Sequence, residues 1–525
     1  MGLYDREFGA ILHDAGGSVV NIMSPKYGGA GDGTTIDDTA FLAACADMST
    51  SESKPDVLRL EPGRTYKFNN VALDRPLWID ARGAIVSKST STVGHMFRSL
   101  DGAASFIGII GGDWRCNKAG FSSGATVSIF HLVRVDDLVM VGPISFSSGI
   151  EEGLKLYNVK RIFGDLVTFD DFANDGLQCF TQSSSADGYT GSTTRAPGDV
   201  ELVQLSRVRC LNISDGSAGE GQGVAFSAAS GAGIIKNVFV TDIYAKNCNR
   251  SVWFENNLSS QQAKNIHVKG VTLEDVITYG IGFVGVDRGT IDDYIVIQSS
   301  SAAAGSTTGE QALIVISGST AVPSRDITIG QGTLVGASSG TTDYGIKVLQ
   351  TSGLTFLGTA EISQCAVDVG SNAWNTVSDV RLHGSDPVCH AEQSTAQATT
   401  TGTWTAIKWG SRVFDPHTWN SSEQIKPHYP GRYRVTAADS WPTNAVGSRG
   451  LRLYHYNGVP NVIAESLVPP STDNNTSLMA IGVAAIDPTS SEYFYAERYQ
   501  NSGGDLTISP LKRVHVSVEW IGGTT

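Results

Sequence analysis

Seven short apolar segments recur along the middle of this chain, and their regular return constrains the fold more than any other feature. Most begin roughly 20–35 residues after the preceding one, which is the spacing of coils in a repeat architecture. Apolar residues occupy the first and third positions, a pattern that predicts β-strands. The segments are Leu154-Lys155-Leu156-Tyr157, Leu177-Gln178-Cys179-Phe180, Val224-Ala225-Phe226-Ser227, Val252-Trp253-Phe254-Glu255, Ile281-Gly282-Phe283-Val284, Leu313-Ile314-Val315-Ile316 and Ile346-Lys347-Val348-Leu349. They predict successive coils of a parallel β-helix.

Side chains in a β-strand point alternately to opposite sides. We therefore expect the first and third residues of each segment to face the interior, and the second and fourth to face outward. A sandwich built from hairpins would need short turns between its strands, and these intervals are too long for that. A chain of 525 residues also exceeds one ordinary globular core, whereas a solenoid grows along one axis.

Composition narrows the possible partners of the chain. The formal net charge is -14, which makes nucleic acids and anionic membranes poor partners. The 7 cysteines have no paired spacing, so we expect free, mostly buried thiols in a protein assembled in a reducing cytosol. The sequence contains no recognisable signal peptide, long apolar run or Cys/His cluster. It therefore predicts no metal, no cofactor and no membrane partner.

A Gly-rich turn, a pair of aspartates and an apolar stretch follow one another over Tyr27–Phe41. The apolar stretch predicts a helix, with Asp37 or Asp38 accepting the unpaired N–H groups of its first turn. A strand with a Pro-Gly turn and a Tyr follows over Val57–Tyr66, and a strand with a Gly corner over Leu77–Ala84. Together these segments resemble the opening of the pectate-lyase-like right-handed β-helix family, which is common in bacteriophage tailspikes.

This resemblance implies a right-handed β-helix, a place in the phage virion after assembly in the host cytoplasm, and bacterial surface polysaccharide as substrate. It also implies a phage tail or baseplate partner. We expect attachment to that partner through the N-terminus, where residues 1–25 would form a short anchor or cap. The Gly turn and the aspartate pair of this chain lie closer together than in the family pattern.

The last part of the chain has a different composition. Segments such as Gly431–Val435 and Gly447–Leu453 alternate apolar and polar residues between turns, which predicts an antiparallel β-sandwich. The segment resembles the jelly roll of complement globular heads and tumour-necrosis-factor-like proteins, which implies a homotrimer. A lectin-like sandwich is the alternative. The tryptophans in this last part of the chain are Trp404, Trp409, Trp419, Trp441 and Trp520.

The sequence therefore predicts an anchor over residues 1–25 and a β-helix with a catalytic groove over 26–390. A small polar linker over 391–402 and a jelly roll over 403–525, for trimerisation or carbohydrate binding, would follow. A polar insertion between Phe180 and Asp199 should stand off one face of the solenoid, either lining the binding face or merely decorating it.

Paired carboxylates are the chemistry that stacked coils supply most readily. Adjacent coils lie ~4.8 Å apart. Neighbouring carboxyl groups can therefore reach the ~5–5.5 Å of a retaining glycosidase or the ~6.5–9.5 Å of an inverting one. The catalytic candidates are Asp175, Glu220, Glu255, Asp170 and Asp171. A coil corner or a solvated turn is the structural alternative for the aspartates.

Trp253 is the candidate for stacking on a sugar ring. We expect it to face outward between Ala225 and Gly282 of the neighbouring coils, whose small side chains would leave the indole uncovered. Burial under a loop or in a subunit interface is the alternative. The residues expected to add hydrogen bonds to the substrate are Tyr157, Arg250 and Lys155.

These features predict a phage tailspike depolymerase that binds and cleaves capsular polysaccharide or exopolysaccharide, working as an endo-glycosidase. β-Elimination on a uronate-containing glycan stays open, because Arg250, Tyr244 and Lys246 could neutralise a uronate and remove a proton. A receptor-binding spike without enzymatic activity also stays open, as does a secreted bacterial enzyme of the same fold.

Overall fold

A computed structural model gives the fold of the chain. It describes residues 17–89, 93–99, 104–122, 125–182, 198–214, 221–228, 233–256, 262–298, 311–319, 322–337, 342, 344–349, 355–357, 360–363, 367–370, 380–382, 388–393, 395–414, 419–427, 431–444, 446–470, 476–487, 491–508 and 514–522. Residues 1–16 of the predicted anchor and most of the polar insertion after Phe180 lie outside these residues.

Short strands dominate the chain as far as residue 348. They are β1 Val19–Asn21, β2 Asp32–Ile36, β3 Asp56–Arg59, β4 Thr65–Phe68, β5 Val71–Ala72, β6 Leu77–Asp80, β7 Ile85–Lys88, β8 Phe97–Ser99, β9 Phe106–Arg115, β10 Phe130–Val133, β11 Asp137–Gly149, β12 Leu154–Tyr157, β13 Arg161–Asp165, β14 Val167–Phe172, β15 Leu177–Thr181, β16 Leu202–Ser206, β17 Arg209–Ile213, β18 Gln222–Ala228, β19 Lys236–Cys248, β20 Arg250–Glu255, β21 Ala263–Val276, β22 Tyr279–Val284, β23 Val286–Gln298, β24 Ala312–Ser317, β25 Arg325–Ile329, β26 Gly332–Val335 and β27 Tyr344–Val348. A helix, α1, spans Asp38–Ala46, and a 3-10 turn spans Lys118–Gly120.

The remaining strands are β28 Thr355–Leu357, β29 Ala360–Ser363, β30 Val367–Gly370, β31 Val380–Leu382, β32 Val388–Glu392, β33 Gln397–Thr399, β34 Thr403–Ala406, β35 Ser411–Phe414, β36 Asn420–Ser421, β37 Gln424–Ile425, β38 Gly431–Trp441, β39 Arg449–Tyr456, β40 Pro460–Val468, β41 Thr476–Ile486, β42 Tyr493–Gln500, β43 Leu506–Ile508 and β44 His515–Gly522. Contacts divide the chain into two compact units. The first is Met1–Lys347 with Ala360–Val367, and the second is Val348–Thr359 with Asp368–Thr525.

The first unit is the predicted parallel β-helix. Each coil adds one strand to each of three parallel rows, which we call faces 1, 2 and 3. Face 1 holds β5, β8, β10, β12, β15, β18, β20, β22 and β24. Face 2 holds β13, β16, β25 and the first halves of β11, β19, β21 and β23. Face 3 holds β14, β17, β26 and the second halves of the same long strands.

Unbroken register from coil to coil along face 1 builds the interior of the solenoid. Leu154 pairs with Leu177 on the next coil, and both side chains are fully buried, as the repeat pattern predicts. Phe226 and Phe254 stack one above the other at 5.0 Å with 10° between their rings. Close packing of like side chains along the axis stabilises the coils collectively. The described cysteines are free and buried, as expected.

Left-handed residues form the bend between face 3 and face 1. Asp171, Asn212 and Asn247 occupy equivalent positions on successive coils, with φ of 59°, 53° and 58°. Asn and Asp tolerate this conformation better than other residues with a Cβ. Asn212 Nδ2 donates to Asp170 Oδ1 at 3.0 Å, and Asn247 Nδ2 donates to Asn212 Oδ1 at 3.1 Å. The bend is thus held by a side-chain ladder.

The aspartate pair of the opening motif fastens α1 to the solenoid. We predicted that one of its side chains would cap the helix, and this prediction is wrong. Asp37 precedes the helix but makes no side-chain capping bond. Its Oδ1 accepts from the Ala30 N–H at 2.7 Å, while Asp38 Oδ1 accepts from the Asn69 N–H at 2.9 Å. The carboxylates satisfy loop and strand N–H groups because the coil beside them leaves those donors unpaired.

The second unit contains the predicted antiparallel sandwich. Its sheets have the strand orders β35-β32-β44-β38-β41 and β36-β37-β42-β39-β40. Tyr433 on the first sheet packs against Phe494 on the second at 6.1 Å. Residues 391–402, expected as a linker, include the end of β32 and all of β33, which pair with β44 and β43. The sandwich therefore begins before residue 403.

We predict that Asn212→Ala lowers the free energy of unfolding by about 1–2 kcal/mol, because an Ala in the left-handed region is strained and the ladder loses its middle member. Asn212→Gly should cost less, since glycine adopts the same φ without strain. Urea denaturation of both variants measures the difference. Equal destabilisation by Ala and Gly would contradict a role for the backbone conformation.

Candidate functional site

Face 1 carries a column of polar residues where each of its strands begins. We call this column the polar corner. Hydrogen-bond register places its members at one position on successive coils, and they are His95, Ser128, Glu152, Asp175, Gln222, Arg250 and Tyr279. A second, outward column lies further along the same strands and comprises Arg98, His131, Lys155, Gln178, Ala225, Trp253 and Gly282.

A cluster of two carboxyl groups and one ammonium group occupies the corner before β12. Lys155 Nζ lies 2.9 Å from Glu152 Oε1 and 3.7 Å from Glu151 Oε2. Glu152 is 1% exposed and also accepts from Ser128 Oγ at 2.8 Å and Asn174 Nδ2 at 3.2 Å. The Glu151 side chain remains 21% exposed. One carboxyl group is therefore locked in place, and its neighbour is partly exposed, with its Oε2 atom buried.

Glu151 has the protonation behaviour expected of a proton donor at neutral pH. Burial raises the pKa of Glu151 to about 7, and the negative charge of Glu152 adds to the effect. Burial works against the charged form of Lys155, but the Glu152 carboxylate outweighs it and raises the pKa of Lys155. The cluster thus holds a lysine cation beside a glutamate that keeps its proton up to neutral pH.

Aromatic and imidazole rings continue the outward column beside this cluster. The His131 ring lies 4.3 Å from His95 and 5.2 Å from Tyr157. Burial lowers the pKa of His95 to about 3, and the adjacent His131 adds to this shift. Tyr157, a predicted binding residue, stacks on Phe180 of the next coil at 5.3 Å. These rings form one wall next to Lys155.

Trp253 has the predicted neighbours but not the predicted exposure. Its register places it between Ala225 and Gly282, as expected. The indole is only 5% exposed, so the prediction of an uncovered ring is wrong. The ring lies over Gly282, and it stacks with Tyr279 at 5.3 Å. Because Gly282 has no side chain, the indole packs flat against the sheet, where it is covered and not exposed to solvent.

Arg250 and Glu255 complete this aromatic group. The Arg250 guanidinium lies 4.5 Å from the centre of the Trp253 ring, within range of a cation–π interaction. Trp253 Nε1 donates to a Glu255 carboxylate oxygen at 3.1 Å, and Arg250 Nη1 lies 3.9 Å from the same oxygen. The structure therefore brings three predicted site residues together, and the Arg250 side chain stays partly exposed, at 17%.

Three predicted aspartates occupy structural positions. Asp175 is 0% exposed, and its Oδ1 accepts from the Gln222 N–H at 2.7 Å, so a substrate cannot contact it. Asp170 and Asp171 lie on β14 of face 3, not on face 1. Asp170 accepts from Asn212, and Asp171 pairs with Lys118 at 3.0 Å. Glu220 lies outside the described residues.

The sequence pattern did not single out Glu151, Glu152 or His131. A signal for them was present, because Glu152 precedes Leu154 by the same two positions as Asp175 precedes Leu177 and Arg250 precedes Val252. Aligning the residues before each strand, in addition to the strands, would have found the corner column.

Within the described ranges, no group of three or more His, Cys, Asp or Glu side chains could hold a metal ion. No helix among those ranges could cross a membrane.

No protein-family model and no curated protein matches the chain. Solved structures with a similar fold include the Dettilon tailspike protein, at 13% identity and a TM-score of 0.38, covering 96% of this chain and 94% of that one. The family 28 exopolygalacturonase of Yersinia enterocolitica has 12% identity and a TM-score of 0.40, covering 70% and 79%. The Streptococcus pneumoniae surface adhesin PfbA has 11% identity and a TM-score of 0.38, covering 68% and 94%. Likeness at this level carries no information about the activity of this chain.

We predict that Asp175→Ala destabilises the protein by about 1–3 kcal/mol, because it leaves the buried Gln222 N–H without its acceptor. Asp171→Asn is the matched control, since it changes an exposed carboxylate at a bend that Asn tolerates, and it should cost less than about 1 kcal/mol. Thermal unfolding of both variants measures the difference. An Asp175→Ala protein as stable as the control would show that this carboxylate is not structural.

Proposed function

We propose that this protein is a tailspike depolymerase that binds bacterial surface polysaccharide along face 1 and cleaves it by hydrolysis. The observation that supports the proposal best is the Glu151–Glu152–Lys155 cluster, in which a partly exposed carboxyl group keeps its proton near neutral pH. Hydrolysis of a glycosidic bond begins with protonation of the leaving oxygen, and a carboxyl group with a raised pKa can supply that proton.

In this proposal the members of the cluster have separate roles. Glu151 donates the proton to the glycosidic oxygen, since its side chain, at 21% exposure, is the more exposed of the two carboxyl groups. Glu152 is too buried to contact a sugar, so it acts by holding Lys155 and by raising the pKa of Glu151. Lys155, at 15% exposure, can donate a hydrogen bond to a substrate oxygen.

The carboxylate that completes a glycosidase pair with Glu151 must lie closer to Glu151 than Glu255 does. Three coils separate β12 from β20, which is about 14 Å along the axis and exceeds the ~9.5 Å limit for an inverting pair. Glu255 therefore holds Trp253 and Arg250, and we propose Arg250, whose side chain is 17% exposed, as a more distant sugar-binding residue of the same groove. The sequence paired Glu220 with Asp175, and Glu220→Gln tests whether Glu220 supplies the second carboxylate instead.

The contacts of Tyr244 and Lys246 count against elimination as the alternative. Both residues lie on the face 3 half of β19, whereas Arg250 begins β20 on face 1. Tyr244 donates to Glu274 at 2.9 Å, and Lys246 pairs with the same carboxylate at 3.4 Å.

Incubation with capsules from a panel of bacteria decides which reaction the protein catalyses. New reducing ends without unsaturated uronate support hydrolysis, unsaturated ends mean elimination, and binding without shortening means a receptor spike.

We predict that Glu151→Gln lowers turnover about a hundredfold or more, because the amide cannot donate the proton. Wild-type activity should fall as pH rises above about 7, since ionisation of Glu151 removes the acid form. The variant should lose this dependence on pH. Reducing-end release measured from pH 5 to pH 9, roughly the range in which the acid form disappears, gives both results.

Asp171→Asn is the matched control for this experiment, because it removes an exposed carboxylate on face 3. It should cleave like the wild type. If Glu151→Gln cleaves within about threefold of the control at every pH, Glu151 is not the general acid.

We further propose that the spike is a homotrimer joined through the second unit and attached to the phage tail through its N-terminus. Strand β41 supports a subunit contact, because Met479, Ile481 and Val483 on one side of it are 58%, 56% and 46% exposed. Exposed apolar side chains in a contiguous row usually mark a protein contact. The strand is also a sheet edge, which a partner subunit would cover.

We predict that Ile481→Glu reduces the trimer to single chains of 55.5 kDa, because a charge cannot be buried unpaired in an apolar contact. Val459→Glu is the matched control, since Val459 is 59% exposed in the turn before β40. Light scattering measures the mass. A wild-type protein that runs as a monomer, or an Ile481→Glu protein that stays trimeric, would contradict this interface.

A further inference from the structure

A shallow cleft of about 570 Å³ opens on face 2, around the corner from the proposed catalytic groove. It spans the coils of β13, β16 and β19. The described residues that line it are Arg161, Glu201, Leu202, Lys236, Asn237 and Phe239. The proposed cleavage reaction uses none of these side chains, so the cleft needs its own explanation.

Phe239 is the exposed aromatic ring of this cleft. It points outward from β19 and is 38% exposed. His267, at the same position on the next coil, stacks on it at 5.1 Å with 11° between the rings. Gln204 of β16 lies one coil to the other side, where the cleft also lies. One face of the phenyl ring is therefore packed on the imidazole, and 38% of the Phe239 side chain stays exposed beside the cleft.

His267 is an uncharged support for this ring. Its Nδ1 and the Thr290 Oγ1 are hydrogen-bonded at 2.9 Å, which fixes the orientation of the imidazole. Burial lowers the pKa of His267, so the ring is neutral near pH 7. A fixed flat imidazole behind Phe239 holds the phenyl ring in place, so a ligand that stacks on it loses little free energy in ordering the side chain.

The charges around the cleft are already balanced within the protein. Arg161 makes a bidentate contact with Asp137, at 2.6 Å from both Nε and Nη2. Lys236 pairs with Asp199, and Lys160 lies 3.9 Å from Glu201. Because each of these cations already has a carboxylate partner, an anion is a poorer ligand for the cleft than a neutral molecule. It offers hydrogen-bonding groups next to an apolar ring.

An uncharged sugar ring fits this combination. A pyranose presents a C–H face that can lie on Phe239, and hydroxyl groups that can reach Arg161, Glu201 and Lys236. We propose that the cleft is a second glycan-binding subsite, which takes an uncharged pyranose unit of the polysaccharide. This inference rests on the proposed function for its ligand class but not on the identity of the catalytic residues.

A subsite on a different face from the groove would hold the polymer while the groove cuts it. Tethering one part of a long chain raises the local concentration of the remainder at the catalytic groove. A short oligosaccharide cannot reach both places and gains nothing from the second subsite. The cleft should therefore affect binding of the long polymer and leave cleavage of short fragments unchanged.

The test measures binding of purified capsular polysaccharides, immobilised on a sensor, to trimers that carry Glu151→Gln so that the polymer is not consumed. Adding Phe239→Ala should weaken binding about tenfold, whereas Phe239→Trp should preserve it. Ile295→Ala is the matched control, since Ile295 is a 44% exposed apolar residue on face 3. In the otherwise wild-type protein, Phe239→Ala should leave turnover of short fragments within about twofold.

The outcomes separate this inference from the proposed function. Phe239-dependent binding by a protein that cleaves no polymer would support the subsite and contradict the depolymerase. Cleavage by a protein whose Phe239→Ala variant binds polymer like the Ile295→Ala control would contradict the subsite alone. A change of molecular mass on Phe239→Ala in light scattering would mean that the ring is a subunit contact, and this would also overturn the subsite.

Discussion

The structure depends on one constraint, which is that every coil must repeat its neighbour in register at the spacing of strand hydrogen bonds. Inward positions then stack like on like, as Phe226 and Phe254 do at 5.0 Å. The bends must repeat too, and the left-handed residues Asp171, Asn212 and Asn247 meet that requirement, with Asn247 also donating to Asn212 and Asn212 to Asp170. A substitution that breaks the register or the bend of one coil therefore disturbs the neighbouring coils as well.

The same register that builds the interior also concentrates charge at the polar corner. Stacking places Glu152 directly between Ser128 and Asp175, where it is buried and held by Ser128, Asn174 and Lys155. Burial of Glu151, with the charge of Glu152 beside it, raises the pKa of Glu151 to about 7. The proposed acid is thus a by-product of solenoid packing, since no special loop is needed to position it. Asp175, at the position of Glu152 one coil away, is buried as well.

Features that follow from periodicity could be predicted from the sequence, and features that depend on side-chain direction could not. Strand alternation correctly gave Ala225 and Gly282 as the neighbours of Trp253, but the tilt of the indole onto Gly282 depends on packing with Tyr279 and Arg250. Asp170 and Asp171 resembled groove carboxylates because they shortly precede Leu177 in the sequence. The bend between them and Leu177, which places them on face 3, does not show in the strand pattern. Strand alternation does not identify Glu151 and Glu152, because both residues precede β12 and lie outside its inward and outward pattern.

The most direct test of the proposed mechanism is a structure of the Glu151→Gln protein bound to an oligosaccharide, prepared from the polymer that the wild-type protein shortens. We expect a sugar chain along face 1, with a glycosidic oxygen within about 3 Å of the side chain at position 151. We also expect contacts to Lys155 on the same coil. A complex in which the sugar lies on another face or between subunits, with position 151 untouched, would contradict the central claim.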